Sequence, residues 1–483
     1  MRGLLRRSFV LGSTGIATSI VNIVRSKLAA VLLGPEGTGL IGQLSSCQSL
    51  LATITQVGIQ GSGVQHIAQS LNRPGEESEY RAAADRVRLV ARVSALAGFL
   101  GAILLCQPLA RFALGSQQDW VLTLGLAPVV AIQALSLYYT CTLEGTRSIS
   151  AIARLRILTA LSSLAIAGLI FFSAGIHGAL PYLAGLALAN YALSRFLSRE
   201  IAPTINSEKR LPGRLKSTTP IIGLGFAIMI SGFATQASLF ASRSIIVQEL
   251  GLDGAGLYGA ALSITGTVIS MTTLAVSTEF YPSLCSNYTN PALRRTTIEQ
   301  QVQLLNVVLV PAALALYTVP DLAVRLLFSS EYFGAIRIVQ LSAFHCLGFC
   351  IFGALQYVLI AGQARRAHVI TAILAAALDF LAIAYCTRSW GLDGLGYGVA
   401  IASLLKATIY FLATRIKAKI GLSLNVIAPP LMVGITLLAV NLQGPDILQT
   451  LPIAARIAMA TTTLLVSGAY VWFRTKIVGT KRD

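Results

Sequence analysis

The sequence predicts an all-α polytopic membrane protein of about fourteen transmembrane helices, and three observations carry that expectation. Only 12% of the 483 residues are charged and 55% are apolar, against roughly 25% charged in a soluble globular domain, so the chain lacks the charges to build a surface facing water. Mean hydropathy is +0.72 over the whole length. Apolar stretches recur from end to end, each near the ~20 residues that cross ~30 Å of hydrocarbon at ~1.5 Å per residue.

The expected spans are 8–33, 38–63, 87–107, 119–142, 155–174, 178–198, 219–244, 255–278, 302–320, 336–361, 368–388, 394–414, 424–442 and 453–473. The first seven residues, Met1-Arg2-Gly3-Leu4-Leu5-Arg6-Arg7, imitate a signal peptide. Ser13, Thr14 and Gly15 then interrupt the apolar run and no small-residue cleavage site follows, so the first span is read as a retained helix.

The formal charge of +18 would suit nucleic acid only if the basic residues gathered on one wet face or arm. Instead they punctuate the spans. With the connections numbered in order, 26 of the 37 Lys and Arg lie at the N-terminus, the even-numbered connections and the C-terminus, and five lie at the odd-numbered ones. That asymmetry predicts cytoplasmic termini by the positive-inside rule, and no nucleic-acid partner is expected. The seven cysteines include no Cys-x-x-Cys pair and read as small buried hydrophobes. His66, His177, His345 and His368 converge in no defensible spacing. No catalytic residue, metal ligand or cofactor is expected.

The chain also carries an internal repeat. Leu33-Gly34-Pro35-Glu36-Gly37-Thr38-Gly39-Leu40-Ile41-Gly42 matches Leu250-Gly251-Leu252-Asp253-Gly254-Ala255-Gly256-Leu257-Tyr258-Gly259 at every Gly and Leu of the first copy's pattern, 217 residues on. Gly145 lands on Gly362 at the same shift, and Gly175-Ile176-His177-Gly178 falls within one residue of Gly391-Leu392-Asp393-Gly394. Each unit holds six spans, an even number, so the copies are expected in parallel orientation about an axis along the membrane normal. The expected organisation is an N-terminal six-helix lobe over 1–198, a cytoplasmic linker over 199–218, a second six-helix lobe over 219–414, and two further helices with a cytoplasmic tail over 415–483. A glycine-rich stretch after an apolar helix permits a tight turn with positive φ. Its acids, Glu36 and Asp253, read as interfacial turn residues.

On these residues the sequence resembles the multidrug/oligosaccharidyl-lipid/polysaccharide exporter superfamily, to which MATE transporters belong, and within it the O-antigen flippases of the Wzx type. The likeness rests on Lys27-Leu28-Ala29-Ala30-Val31, Gly34-Pro35-Glu36-Gly37-Thr38-Gly39-Leu40, and Gly58-Ile59 through Ile67-Ala68-Gln69. Further matches are Gly145-Thr146-Arg147, Leu326-Leu327-Phe328-Ser329 and Tyr332-Phe333. It covers spans 1 to 12; the extra pair over 424–473 is a feature of the broader polysaccharide-transporter group. The resemblance implies two lobes around a central cavity that opens alternately to the two faces of a bacterial inner membrane. The cargo it implies is an undecaprenyl-pyrophosphate-linked oligosaccharide, with a polysaccharide polymerase and its chain-length machinery as a further candidate partner.

Charges in a helix centre cost ~2.5–3.5 kcal/mol on insertion scales and normally face a cavity or a partner. At ~100° per residue, Thr14, Thr18, Asn22 and Arg25 fall within about 80° and form one polar stripe on span 1. Lys27 points roughly 160° from Arg25 by the same geometry, although it matches the family position better. In span 7, Arg243 shares a face with Gln236, seven residues earlier, beside Ser231, Thr235, Ser238 and Ser242. Span 12 adds Lys406 beside Ser403 and Tyr410. These four cations are the candidate anion-binding set, since a guanidinium fork matches phosphate oxygens, and they equally suit pairing with acids such as Asp379 or Glu249. Asp379, deep in span 11, is a candidate coupling site for a proton or sodium ion, or a counter-ion.

Two other readings compete: a drug/cation antiporter, which would favour acidic cavity residues, and a membrane polymerase, ligase or glycosyltransferase, which would need a sizeable loop bearing catalytic carboxylates or histidines. The orientation itself is testable. In a cysteine-free variant, single cysteines replacing Gly37, Asp253 or Gly444 should react with an impermeant thiol reagent in intact spheroplasts, and those replacing Ser78, Ser207 or Gly479 should not; the opposite pattern would reverse the topology.

Overall fold

Hydrocarbon offers a backbone amide no hydrogen-bond partner, so each apolar span must close its bonds within its own helix. The computed structural model describes residues 2–56, 59–70, 76–115, 119–146, 148–201, 219–443 and 456, and among these there is no β-strand. The helices are α1 (Arg2–Gln56), α2 (Ile59–Ser70), α3 (Glu76–Leu114), α4 (Trp120–Leu124), α5 (Leu126–Gly145), α6 (Ile149–Ala174), α7 (Ala179–Ile201), α8 (Thr219–Asn287), α9 (Pro291–Thr318), α10 (Pro320–Leu327), α11 (Ile336–Ala361), α12 (Arg365–Lys417) and α13 (Leu424–Gln443). Short 3₁₀ turns, Gly175–Gly178 and Ser330–Ala335, precede α7 and α11.

Among the described residues, nine segments are long and apolar enough to cross a membrane. Four of them, Ala17–Gln56, Ile149–Glu200, Met229–Thr273 and Arg365–Lys417, run 40 to 53 residues, enough for two crossings each at ~20 residues per crossing. A positive-φ glycine breaks each one, at Gly34, Gly175, Gly251 and Gly391 respectively. The segments follow the expected spans in order as far as 424–442. The span expected at 453–473, apart from Arg456, and residues 202–218 of the expected linker lie outside the described residues.

Three details differ from expectation. The second span stops at Gln56 rather than 63, and α2 covers Ile59–Ser70 separately. The unforeseen α10 is short and amphipathic, with Asp321 in its first turn and Arg325 in its last, each placed to complement the helix dipole. Cys285 is exposed near the end of α8, beyond the apolar segment, whereas the other six cysteines are buried as expected and all seven are free thiols.

The repeat is written in the backbone. Gly34 has φ 66° and ψ −173°, and Gly251, 217 residues on, has φ 72° and ψ −176°, a region essentially restricted to glycine. Gly175 (φ 52°, ψ −135°) and Gly391 (φ 58°, ψ −132°) form a second matched pair. The residues closing α5 and α11, Thr146 at φ −78°, ψ −1° and Gly362 at φ −75°, ψ 4°, agree at a shift of 216, so Gly362 corresponds to Thr146 rather than to Gly145.

Two compact units divide the chain, Met1–Gly256 and Leu257–Asp483. Inside the first, α5 is the central helix and packs on α3 and α7. Its Leu126, Ala127, Val129 and Val130 are buried in a core completed by Leu44 of α1, Phe171 of α6, Leu183 of α7 and Phe240 of α8. Inside the second, α11 holds the same place, packed on α9, α12 and α13, and is buried along most of its length. Asn290 caps α9 by accepting from the amides of Ala292 (3.1 Å) and Leu293 (3.3 Å), with Pro291 in the first turn.

Within the first unit the two glycine turns meet reciprocally. A Cβ on Gly39 would collide with the Leu252 carbonyl oxygen, and one on Gly256 would collide with that of Pro35. The 217-residue shift exchanges these pairs, so the contact has local two-fold character, and only hydrogen side chains allow the backbones so close. Gly39→Ala or Gly256→Ala should therefore destabilise the purified protein by about 1–3 kcal/mol, read as a lowered thermal midpoint in detergent. Gly101→Ala, inside α3 where an added Cβ meets nothing within 4 Å, should not lower the midpoint, since alanine favours a helix over glycine.

Candidate functional site

The polar stripe on α1 turns from buried to open along its length: Thr14 is buried, Thr18 is half-buried, and Asn22 is exposed. Thr18 bonds back to the Gly15 carbonyl at 2.9 Å, a local bond that satisfies a hydroxyl inside a helix. Arg25 is half-buried. Its Nη1 donates to Ser163 Oγ on α6 over a long 3.4 Å, and its guanidinium lies close to the phenol of Tyr182 at the start of α7. Ser163 and Tyr182 are both buried, at 5% exposure each. Arg25 thus leans on two hydroxyls. Lys27 is exposed.

Arg243 on α8 is half-buried, and its guanidinium lies against α1 where a Cβ on Gly42 would strike Nη1. Gly42 belongs to the glycine motif, so the motif serves both the turn and the seating of this cation. Around it the contacts are tight. Gln43, fully buried, donates to Ser244 Oγ at 2.8 Å and to the Ala113 carbonyl at 3.1 Å, and Gln248 donates to the Phe112 carbonyl at 2.9 Å. Gln236 is half-buried, Ser231, Ser238 and Ser242 are buried, and Thr235 is exposed.

In the second unit, Lys406 Nζ and Asp379 Oδ2, both on α12, form an ion pair at 2.7 Å. The ammonium also sits 5.4 Å from the Phe352 ring centre. Ser403, one turn before Lys406, meets His345 Nδ1 at 2.6 Å, and Tyr410, one turn after, stacks on Phe352 with centroids 6.2 Å apart. A lone carboxylate or ammonium at this depth is costly, and pairing removes much of that cost for both. A separate apolar cavity of about 550 Å³ runs along α11, α12 and α13, lined by Phe344, Leu347, Leu404, Pro430 and Leu438 among others.

One constellation was not foreseen from the sequence. On α5, Tyr138 and Tyr139 meet edge-on at 4.9 Å, and Tyr139 meets Tyr191 of α7 at 5.6 Å. Arg88 of α3 lies 6.0 Å from the Tyr138 ring, and Arg195 lies at 6.0 Å from the Tyr191 ring. Deeper along α5, Gln133 accepts from Gln48 at 3.0 Å and Ser136 accepts from Asn190 at 3.2 Å. The adjacent tyrosines in an apolar span were the available signal, but their partners, Arg88 and Tyr191, are distant in the chain on either side.

Residues 4–287 match the model of a family described as polysaccharide biosynthesis protein. The chain belongs to this family. The matched region holds both copies of the glycine motif together with Arg25, Lys27 and Arg243, and leaves Asp379 and Lys406 outside it. Stage V sporulation protein B of Bacillus subtilis (strain 168) is 23% identical over 436 residues, covering 84% of this chain and 82% of that protein. Two solved structures give the fold. An inward closed lipid II flippase, MurJ, superposes with a TM-score of 0.69 at 10% identity, covering 97% of this chain and 100% of its own. An inward-facing multidrug resistance MATE family transporter of the MOP superfamily gives 0.67 at 13% identity, covering 85% and 98%. The chain is thus a multi-pass membrane protein with the fold that these two structures share.

The Lys406–Asp379 pair gives this site its sharpest test. Lys406→Ala leaves a carboxylate stranded among apolar helices and should cost about 3–5 kcal/mol, seen as reduced abundance and a lowered thermal midpoint. The double change Lys406→Met with Asp379→Leu should restore both; a double variant no better than Lys406→Ala would mean the pair does not stabilise the fold.

Proposed function

We propose that the protein is a flippase that carries a polyprenyl-pyrophosphate-linked oligosaccharide, an O-antigen repeat unit or a similar polysaccharide precursor, from the cytoplasmic to the periplasmic leaflet. In this reading it works by alternating access through a cationic cavity in the bacterial inner membrane, with both termini cytoplasmic. The observation that carries the proposal is Arg25. Its backbone lies about 13 Å along α1 from the Gly34 turn at ~1.5 Å per residue, and its guanidinium's partners among the described residues are the hydroxyls of Ser163 and Tyr182. Hydroxyls orient the fork without cancelling its charge, which leaves it suited to a pyrophosphate.

Family membership supports a role in polysaccharide biosynthesis, and the likeness in fold to a lipid II flippase supports a lipid-linked cargo. The apolar cavity along α11 to α13 offers a surface compatible with a hydrocarbon tail. The carrier is proposed to be undecaprenyl pyrophosphate, and a polysaccharide polymerase the partner that receives the cargo. Arg243 and Lys27 are assigned to the same anion-binding set. Lys406 is assigned there only when released from Asp379, which makes that pair the proposed coupling point. The likeness to MATE transporters keeps a drug/cation antiporter as the second reading; a guanidinium whose partners among the described residues are two hydroxyls opposes cationic cargo.

The test follows the sidedness of the lipid-linked precursor in a strain lacking the protein. Loss of a flippase should leave a completed precursor trapped on the cytoplasmic leaflet. In complementation, Arg25→Ala should weaken cargo binding about tenfold, the effect of losing one charge-assisted bond worth roughly 1.5–3 kcal/mol. Arg25→Lys should keep partial transport and Arg25→Glu should abolish it at normal protein abundance. Normal surface polysaccharide from a well-expressed Arg25→Glu variant would end the proposal.

A further inference from the structure

The Gly391 turn carries a cluster that a cationic cavity does not account for. Trp390 closes the first half of α12, and Asp393, Tyr397 and Ile401 follow on one face of its second half, four residues apart. These four residues line a cavity of about 570 Å³. Trp390 is 57% exposed and Tyr385 67%. Their rings meet edge-on with centroids 6.2 Å apart, and Trp390 meets Tyr397 at the same separation.

Tyr397 is held in place. Arg337 Nη2 donates to its hydroxyl at 3.0 Å, with the guanidinium 5.7 Å from the ring centre, and Asn441 Nδ2 donates to the same hydroxyl at 3.5 Å. Arg337 is itself anchored by Gln340 Oε1 at 2.7 Å and Asn441 Oδ1 at 2.6 Å. With both lone pairs of the phenol accepting, any further bond it makes is one it donates.

Exposed Trp and Tyr at a membrane boundary commonly form a belt. A belt requires neither a carboxylate beside the rings nor a three-residue network to orient one phenol. Rings set edge to face, an exposed carboxylate that only accepts, and a phenol left with only its proton to donate together match a pyranose. The C–H face of the sugar covers a ring, while its hydroxyls donate to Asp393 and accept from Tyr397. The volume lies within the ~300–1,000 Å³ typical of small-molecule pockets.

We propose that Trp390, Asp393 and Tyr397 form a saccharide-binding site that takes the neutral sugar portion of the cargo independently of its pyrophosphate and lipid. The assignment rests on the flippase reading and deepens it: in the proposed orientation this end faces the periplasm, so the sugar is held where cargo is released.

The test uses the full-length protein in nanodiscs and the host's own repeat-unit oligosaccharide, freed of lipid and pyrophosphate by mild acid and phosphatase. Binding is read by saturation-transfer NMR and calorimetry. The wild type should bind it; Trp390→Ala and Asp393→Asn should each weaken binding by about tenfold, and Trp390→Phe should retain most of it. Arg25→Glu, which abolishes transport, should bind the free sugar as the wild type does. If the wild type rescues transport but binds the free oligosaccharide no better than Trp390→Ala, the site is overturned while the flippase reading stands. The site is overturned equally if Trp390→Ala only lowers thermal stability and Asp393→Asn is inert, the signature of a belt. Normal precursor sidedness in the deletion strain would remove the flippase reading, and with it the cargo assigned to this site.

Discussion

The close approach of the two glycine turns is the contact on which the first unit depends, and it follows from having lipid as solvent. Lipid tails are as apolar as leucine, so burying leucine between helices gains little there, and association must come from backbones packed near enough for dispersion and weak polar contacts. Gly39 against the Leu252 carbonyl and Gly256 against that of Pro35 provide such an approach. Once these backbones touch, Gln43 reaches Ser244 and Arg243 is seated over Gly42. A side chain at either glycine would separate the backbones and undo both.

The intramembrane charges of the two units are accommodated differently. Lys406 and Asp379 neutralise each other over 2.7 Å beside Phe352, which makes them a unit whose members cannot be changed singly without penalty. Arg25 instead rests on Ser163 and Tyr182, partners that fix direction and leave the charge. Side-chain hydrogen bonds join α1 to α5 and α7 to α5, through Gln48 with Gln133 and Asn190 with Ser136.

The family match and the two likenesses in fold bear on different parts of the chain. The family model spans residues 4–287 and so takes in nearly all of the first unit and the start of the second, as far as the end of α8. The superposition on the lipid II flippase extends over 97% of the chain. Within the second unit, the Lys406–Asp379 pair and the Arg337, Tyr397 and Asn441 network lie beyond the family-matched stretch.

By itself the sequence determined that the protein crosses a membrane many times, where most crossings fall, and that its halves repeat. These properties are one-dimensional: hydropathy sets the spans, Lys and Arg punctuate them, and the 217-residue shift joins Gly34 to Gly251 before their matching dihedrals are seen. It also marked Arg25, Arg243, Lys406 and Asp379, because an ionisable residue in an apolar run is conspicuous. Only the tertiary structure decided which of them pair. Helical periodicity gives the direction of a side chain around its own axis and nothing about the neighbouring helix, so Lys406 could not be matched to Asp379 in advance, nor Arg25 to Ser163, 138 residues away. The same holds for Tyr139 with Tyr191 and for Arg337 with Tyr397, where each residue is ordinary in its own segment and the chemistry exists only once helices distant in the chain are packed side by side.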